Sequence, residues 1–293
     1  GHRALRFLRR LPGTRRGVSR RILISTDLDG TLIPDGRVTE SPHARERFAR
    51  LVCRPEVTLA YVTGRHKALV EEAIGDFSLP IPQLVIADVG ATIHDVDPGN
   101  WRPWVSWERL LAEQWPAGTA AELSRLVRGA SGLRPQEESK QAEFKVSFYL
   151  EEGADSREIL ADVEARLSRL ETPARLIFSR DSKGTGLLDL LPPAANKLSA
   201  LEFILEREGL RSDSCVFSGD SGNDLEVLAS HVPAVLVANA SAEVEAEARE
   251  LAAARGHSDS LYIAQGGLLG MNGNYASGIL EGLVHFLPET FEW

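Results

Sequence analysis

Two short acidic stretches hold the residues with the most obvious chemistry. The first, Asp27-Leu28-Asp29-Gly30-Thr31-Leu32, sets two carboxylates two residues apart directly behind the apolar run 22–26 (ILIST). Two acids at one site can divide labour, one as nucleophile and metal ligand, the other as general acid and then base. Alternation along an extended chain sends Asp27 and Asp29 to one side and Leu28 into the protein. Gly30 and Thr31 add backbone N–H groups for an anion. The second stretch, Gly219-Asp220-Ser221-Gly222-Asn223-Asp224, follows the apolar run 215–218 and spaces two acids four residues apart among glycines. A hard cation such as Mg²⁺ takes oxygen ligands and keeps several waters, so one or two carboxylates plus a substrate phosphate complete its site. Asp220 suits direct ligation and Asp224 ligation through water. Each stretch also has a plainer reading, as a polar strand-to-turn junction and as a helix N-cap.

Two further groups would complete an anion site. Thr63-Gly64-Arg65 ends the run 57–63. A threonine hydroxyl beside a flexible glycine suits phosphate oxygens, and Arg65 and Asn223 are counted with them as substrate contacts. Lys197 stands at a helix start, where a cation is disfavoured by the dipole. Its place there makes sense if it neutralises a phosphate and Asp27 together.

The elements that must position these groups alternate. Strand-like runs at 22–26, 57–63 and 84–89 are separated by helical patterns at about 39–52 and 67–74. The alternation resumes with a helix at 198–208, a strand at 215–218, a helix at 223–229, a strand at 234–237 and a last helix near 278–285. This is the βαβ signature of a doubly wound parallel sheet, and all four chemical stretches fall at C-terminal strand ends or helix starts, where such sheets bind ligands. Between the blocks the texture changes. Trp101, Trp104, Trp107 and Trp115 cluster there, followed by the alternating run 144–150 (FKVSFYL), a helix at 156–170 and strands at 175–179 and 186–191. Strands with one polar face imply an antiparallel sheet, so 96–193 reads as an inserted α+β cap domain, with 21–95 and 194–293 as the Rossmann-like core. Lys145 and Ser147, two residues apart, share one face of the run 144–150. The tryptophans suit packing, given the area each buries.

Composition narrows the partners. The chain of 293 residues carries a net charge of −9, yet residues 1–26 contain eight arginines and no acid, leaving 25 basic against 42 acidic residues in the rest. An acidic body argues against a nucleic-acid surface. The basic extension, 1–20, reads as a solvated linker rather than a nucleic-acid arm or a targeting peptide. No apolar run reaches the roughly 20 residues that span a bilayer, so no membrane role is expected. Cys53 and Cys215 are too few for a disulfide framework and read as two buried thiols of a reducing cytoplasm.

In their order and placement, the four stretches resemble the phosphatases of the haloacid dehalogenase (HAD) superfamily, over essentially the whole chain after residue 21. An insertion after the third core strand is what that superfamily calls a type-two cap. More narrowly, 59–65 (LAYVTGR), 88–94 (DVGATIH), 144–150, 189–192 (DLLP), Asn196-Lys197, 219–224 and 276–286 (ASGILEGLVHF) resemble the sucrose-phosphate phosphatase family. The departure is Gly30, where many sucrose phosphatases carry asparagine. The resemblance implies that Asp27 attacks phosphorus, that Asp29 protonates the departing sugar oxygen and then deprotonates water, and that Lys197 and Asp224 complete the catalytic set. Mg²⁺ is then expected on the Asp27 carboxylate, the Asp29 carbonyl and Asp220, with Thr63, Gly64 and Lys197 on the phosphate. The substrate it implies is a phosphorylated disaccharide, sucrose 6-phosphate first, with mannosylfructose, trehalose or mannosylglycerate phosphate as alternatives, its sugar hydroxyls expected on Lys145 and Ser147 of the cap rather than stacked on the tryptophans. A sucrose-phosphate synthase domain, fused or separate, is the expected partner. The other reading is a silent, regulatory phosphosugar-binding domain of such a synthase, and the presence of every acid argues against it.

Overall fold

In the computed structural model the described residues are 21–180 and 184–293; the basic extension lies outside them. The chain runs β1 (Ile22–Thr26), α1 (Ala44–Val52), β2 (Val57–Val62), α2 (Lys67–Asp76), β3 (Leu84–Ala87), β4 (Thr92–Asp97), β5 (Asn100–Pro103), α3 (Val105–Gln114), α4 (Thr119–Val127), β6 (Leu133–Pro135), β7 (Val146–Leu150), α5 (Ser156–Leu167), β8 (Arg175–Arg180), β9 (Gly186–Leu191), α6 (Lys197–Glu208), β10 (Cys215–Gly219), α7 (Leu225–Leu228), β11 (Ala234–Leu236), α8 (Ala242–Ala254), β12 (Leu261–Ile263) and α9 (Ala276–Phe286). It is an α/β protein.

Eight strands form the larger sheet in the order β12-β11-β10-β1-β2-β3-β4-β5. From β12 to β3 neighbouring strands are parallel; β4 and β5 add antiparallel at the edge. The core strands are apolar on both faces because helices cover both. Ile22 and Ile24 pack with Phe48 and Leu51 of α1, Val70 of α2 and Ile279 and Leu283 of α9. Leu23 and Phe217 face Ala200, Leu201, Ile204 and Leu205 of α6. The β4–β5 hairpin carries the core sheet past residue 95 to Pro103, because β4 pairs with β3 from Leu84↔Asp95 to Ala87↔Thr92. The boundary read from the sequence at 95/96 cuts through β4 and leaves β5 with the insertion.

The smaller sheet, β6-β7-β9-β8, is antiparallel throughout, as the one-sided polarity of its strands implies. Its apolar face shares a core with α4 and α5 through Phe148, Leu188, Leu123 and Val163. Trp104 and Trp107 pack on Phe203 of α6, and the Trp107 indole N–H donates to the Gly90 carbonyl at 3.0 Å. These rings therefore fix α3 against the core. β3 turns into β4 beside the seam between the two sheets, at a tight turn where Asp88 and Val89 take positive φ (51° and 59°) and Gly90 takes 102°. A Cβ at Gly90 would lie 2.4 Å from the Asn196 backbone, so only glycine lets this turn touch the connection that returns from β9 to α6.

α1 is shorter than the sequence pattern suggests. Pro42 precedes it and His43 takes φ 61°, so the helix begins at Ala44. Cys53, at its C-cap, is exposed, whereas Cys215 in β10 is buried, so only one thiol is a core residue. The difference follows from position: the buried side of α1 ends at Val52, and Cys53 leaves the helix toward solvent. No helix among the described residues is long and apolar enough to cross a membrane.

Candidate active site

β2 and β3 follow β1 on one side, while β10, β11 and β12 fill the other. The winding direction therefore reverses between β1 and β10, and the crevice this leaves lies beyond their carboxyl ends. Asp27 follows β1 and Asp220 follows β10, and the Asp27 N–H donates to the Ser218 carbonyl across the junction at 2.9 Å. This is how residues 193 positions apart come to share one site.

Lys197 is the centre of the cluster. Its ammonium, buried at the start of α6, donates to Asp27 Oδ2 at 2.9 Å, Asp224 Oδ1 at 2.7 Å and Asn223 Oδ1 at 3.0 Å, which uses all three of its protons. Asn196 caps the helix by accepting from the Ser199 N–H at 2.8 Å, which fixes where Lys197 enters. Asp27 Oδ1 accepts from the Leu28 N–H at 2.7 Å. Asp224 Oδ2 accepts from the N–H groups of Asp220 and Ser221 at 3.0 and 3.1 Å, so both its oxygens are held by protein. Thr31 Oγ1 donates to Asp220 Oδ1 at 2.8 Å, and the other Asp220 oxygen lies 3.8 Å from the Arg37 guanidinium.

The electrostatics are those of a site short of positive charge. Asp27, Asp220 and Asp224 are all buried and offer one oxygen each within 4.8 Å of one another. Burial pushes the Asp27 carboxyl up to about 8, against the pull of Lys197 and with the repulsion of Asp224 and Asp220 adding to it. Burial and Asp224 likewise push Asp220 up to about 7, offset by Thr31 and Lys197. For Lys197 burial opposes the charge, but Asp224 and Asp27 outweigh it and raise its pKa above the usual lysine range. Three carboxylates around one ammonium leave negative charge uncompensated, and their oxygen donors suit a hard divalent cation. A Cβ at Gly30 (φ 76°) would fall 2.4 Å from Asp220 Oδ2, so the Asp29–Gly30 peptide passes directly against this donor set.

Asp29 is placed differently from Asp27. The extended chain ends at Thr26 and turns over Leu28, whose carbonyl accepts from the N–H groups of Thr31, Leu32 and Ile33. Strand geometry therefore does not hold Asp29, and the two carboxylates differ in burial: Asp27 is buried and Asp29 is largely open to solvent. The Asp29 side chain is 57% exposed and is gripped by Arg65, with Nε to Oδ2 at 2.8 Å and Nη2 to Oδ1 at 2.7 Å. Thr63, buried at the end of β2, accepts at Oγ1 from the Arg65 N–H at 3.1 Å. The Asp88 and Val89 N–H groups donate to the carbonyls of Arg65 and Thr63 at 3.0 and 3.1 Å, tying the Thr63-Gly64-Arg65 loop to the seam.

Lys145 and Ser147 do share a face, and both are buried rather than open. Lys145 precedes β7 and forms an ion pair with Asp88; the Ser147 hydroxyl donates to Asp189 of β9. Burial raises the Asp189 pKa, partly offset by Lys145 and Ser147. Asp88 and Asp189 entered the sequence analysis only as parts of the runs 88–94 and 189–192, with no role of their own, and Asn239 did not enter it. Asn239 donates to the Gly30 carbonyl at 2.6 Å and accepts from the Tyr275 N–H at 2.8 Å, bracing the Asp27–Gly30 turn. A signal existed for two of them, since Asp88 and Asn239 both follow core strands at the edge that carries the motifs.

Comparison with known proteins agrees with this geometry. Residues 20–287 match the Sucrose-6F-phosphate phosphohydrolase family. A HAD-like hydrolase of Nitrosococcus oceani is 44% identical over 94% of this chain and 74% of its own length. The mannosylfructose-phosphate phosphatase of Agrobacterium fabrum is 29% identical over 90% of this chain and 96% of its own. Among solved structures, the sucrose-phosphatase of Synechocystis, in complex with sucrose and phosphate, superimposes with a TM-score of 0.72 at 26% identity, covering 91% of this chain and 98% of that one. A switch-point cluster of acids around one lysine, on a core with an inserted antiparallel cap, is thus matched over nearly its full length, and the chain belongs to the Sucrose-6F-phosphate phosphohydrolase family of HAD-type sugar phosphatases.

Proposed function

We propose that this protein is a Mg²⁺-dependent phosphomonoesterase that cleaves a phosphorylated disaccharide, sucrose 6-phosphate first, through an aspartyl-phosphate on Asp27. The observation that carries the reading is the buried Asp27–Lys197–Asp224 chain beside Asp220, with a second carboxylate, Asp29, held separately outside it. The Asp27 carboxylate attacks phosphorus in line while the bond to the sugar oxygen breaks and Asp29 delivers a proton to that oxygen. Asp29 then takes a proton from the water that splits the acyl-phosphate. Lys197, giving up its bond to Asp27 as that carboxylate turns to phosphorus, holds a phosphate oxygen with Thr63 and the Gly64 backbone, and Asn223 and Asp224 keep the lysine aimed. Positioning and charge neutralisation of this kind supply most of the catalysis in phosphoryl transfer. The Asp27 carboxylate, the Asp29 carbonyl and Asp220 would hold Mg²⁺, which when bound neutralises the charge of the phosphoryl group and the acids. Asp224, with both oxygens already engaged, fits a role through water.

The core motifs see only phosphate and metal, so discrimination between sugars falls to the cap. Lys145 and Ser147 are proposed as its sugar-binding groups; the Lys145–Asp88 pair supports this by bringing that face next to the phosphate loop. We place the enzyme in the cytoplasm behind a synthase domain, fused or separate; the chemistry supports the second part, since a glycosyltransferase must first join a sugar to a sugar phosphate. The test is phosphate release across phosphorylated mono- and disaccharides, with Mg²⁺ and with excess chelator. Preference for a disaccharide phosphate and loss of activity in chelator are expected. Full activity in chelator would refute the metal role, and preference for simple hexose phosphates would overturn the disaccharide reading.

A further inference from the structure

Arg65, counted from the sequence among the substrate contacts, has its guanidinium turned onto Asp29. We infer that Arg65 is a positioning residue for the acid/base carboxylate: it acts on the leaving group through Asp29 and not by binding the sugar. The inference rests on the phosphatase reading above. Three features carry it. The pair is bidentate, at 2.7 and 2.8 Å, and this geometry fixes the plane of a carboxylate as well as its location. The guanidinium is itself anchored, its Nη1 donating to the Leu69 carbonyl at 3.2 Å in the first turn of α2, and its own backbone N–H donating to Thr63. Asp29, by contrast, has no strand to hold it, because β1 ends at Thr26 and its side chain lies mostly in solvent. A carboxylate on an exposed turn samples several rotamers unless something grips it, and an exposed ion pair contributes to order chiefly when its geometry is bidentate.

The proton balance is compatible with the grip. As the Asp27 oxygen bonds to phosphorus and the phosphorus–sugar oxygen bond breaks, one Asp29 oxygen passes its proton to the leaving oxygen while the other keeps its guanidinium bond. In the second half-reaction the freed oxygen accepts a proton from the attacking water. A displaced carboxylate would lose most where the leaving group most needs the proton.

The experiment is single-turnover release of the alcohol or phenol from phosphate esters of graded leaving-group basicity, from p-nitrophenyl through phenyl to an alkyl and a sugar phosphate, at saturating Mg²⁺. The proteins are the parent, Asp29→Asn, Arg65→Gln, Arg65→Lys and the Asp29→Asn/Arg65→Gln double variant, each checked for folding by circular dichroism. For Arg65→Gln the loss should grow with leaving-group basicity, reaching roughly 10- to 100-fold for the alkyl and sugar esters, the scale of a misplaced catalytic group. Arg65→Lys, which keeps the charge without the fork, should fall between. The double variant should be no worse than Asp29→Asn alone, because the two act as one unit. The same factor lost on every ester would overturn the inference in favour of a phosphate contact or a structural role. A rise in KM confined to the sugar ester, with an unchanged dependence on leaving group, would make Arg65 a sugar ligand. If Asp29→Asn itself leaves that dependence unchanged, the acid role of Asp29 falls first and the inference with it.

Discussion

Replacing Lys197 by methionine isolates the electrostatics of the site. The substitution keeps most of the buried stem and removes one charge and three donors. Asp27 would keep only the Leu28 N–H among the bonds described above, and Asp224 would keep its backbone bonds while losing its cation. Removing one partner of a buried ion pair costs about 3–5 kcal/mol, because the other charge stays behind unpaired. At roughly 2–4 °C per kcal/mol for a chain of this size class, that is a fall in Tm on the order of 10 °C. The deficit should depend on pH with a definite sign. Asp27 is pushed up to about 8 in the folded protein from 3.8 when unfolded, so between those values the native state holds a proton that the unfolded chain releases. Stability of the metal-free protein therefore falls as pH rises from about 4 to 8. Lys197 is the principal influence lowering the Asp27 pKa, so its loss extends the fall beyond pH 8 without steepening it below, and Lys197→Met drops further beneath the parent as pH passes through about 8. Mg²⁺ at about 100 times its Kd should return about 2.7 kcal/mol to the parent, and phosphate release by the variant should stay negligible with or without it. Thermal melts in chelator and in Mg²⁺ across this pH range measure all of this. Equal stability of variant and parent at pH 8 in chelator would show that the acids around Lys197 carry no net charge in the native state, and the argument for a divalent cation would go with it.

Other substitutions test single parts. Asp27→Asn should abolish turnover while preserving the fold, since an amide cannot form the acyl-phosphate; more than a few per cent of activity in clean protein sinks the nucleophile assignment. Asp29→Asn should lose roughly 10²–10⁴-fold, the usual worth of an acid/base, and a smaller loss in steady-state turnover of the sugar phosphate would argue against it. Gly30→Ala forces a Cβ to 2.4 Å from Asp220 Oδ2 at a φ of 76°, so it should raise the Mg²⁺ concentration for half-maximal activity by roughly tenfold or more, at a stability cost of about 1–3 kcal/mol; an unchanged Mg²⁺ titration contradicts the placement of the site. Lys145→Ala should lower kcat/KM for the disaccharide phosphate far more than for p-nitrophenyl phosphate, and equal losses would assign Lys145 to the seam through Asp88 instead of to the sugar.

Much of this protein could be read along the chain. Apolar runs alternating with helical periods specify a parallel sheet covered on both faces, because only that architecture buries such strands completely. The four chemical stretches are also local, since each is a strand end or helix start whose backbone geometry its own residues dictate. Gly30 and Thr31 beside Asp27, or Asn196 before Lys197, need no distant partner to be recognised. What the chain alone could not show is which charges meet. The fork of Arg65 on Asp29 spans 36 positions, Lys145 on Asp88 spans 57 and Lys197 on Asp27 spans 170. A guanidinium or ammonium on a long stem reaches many neighbours, and only the register of the sheets and the angle of the cap select one. The different burial of Asp27 and Asp29 was hidden for a related reason: β1 ends at Thr26, and the turn over Leu28 that follows it sets how far each carboxylate lies from solvent. The β4–β5 hairpin joined the core sheet because β3 offered it a free edge, and a free edge exists only once the sheet has been assembled.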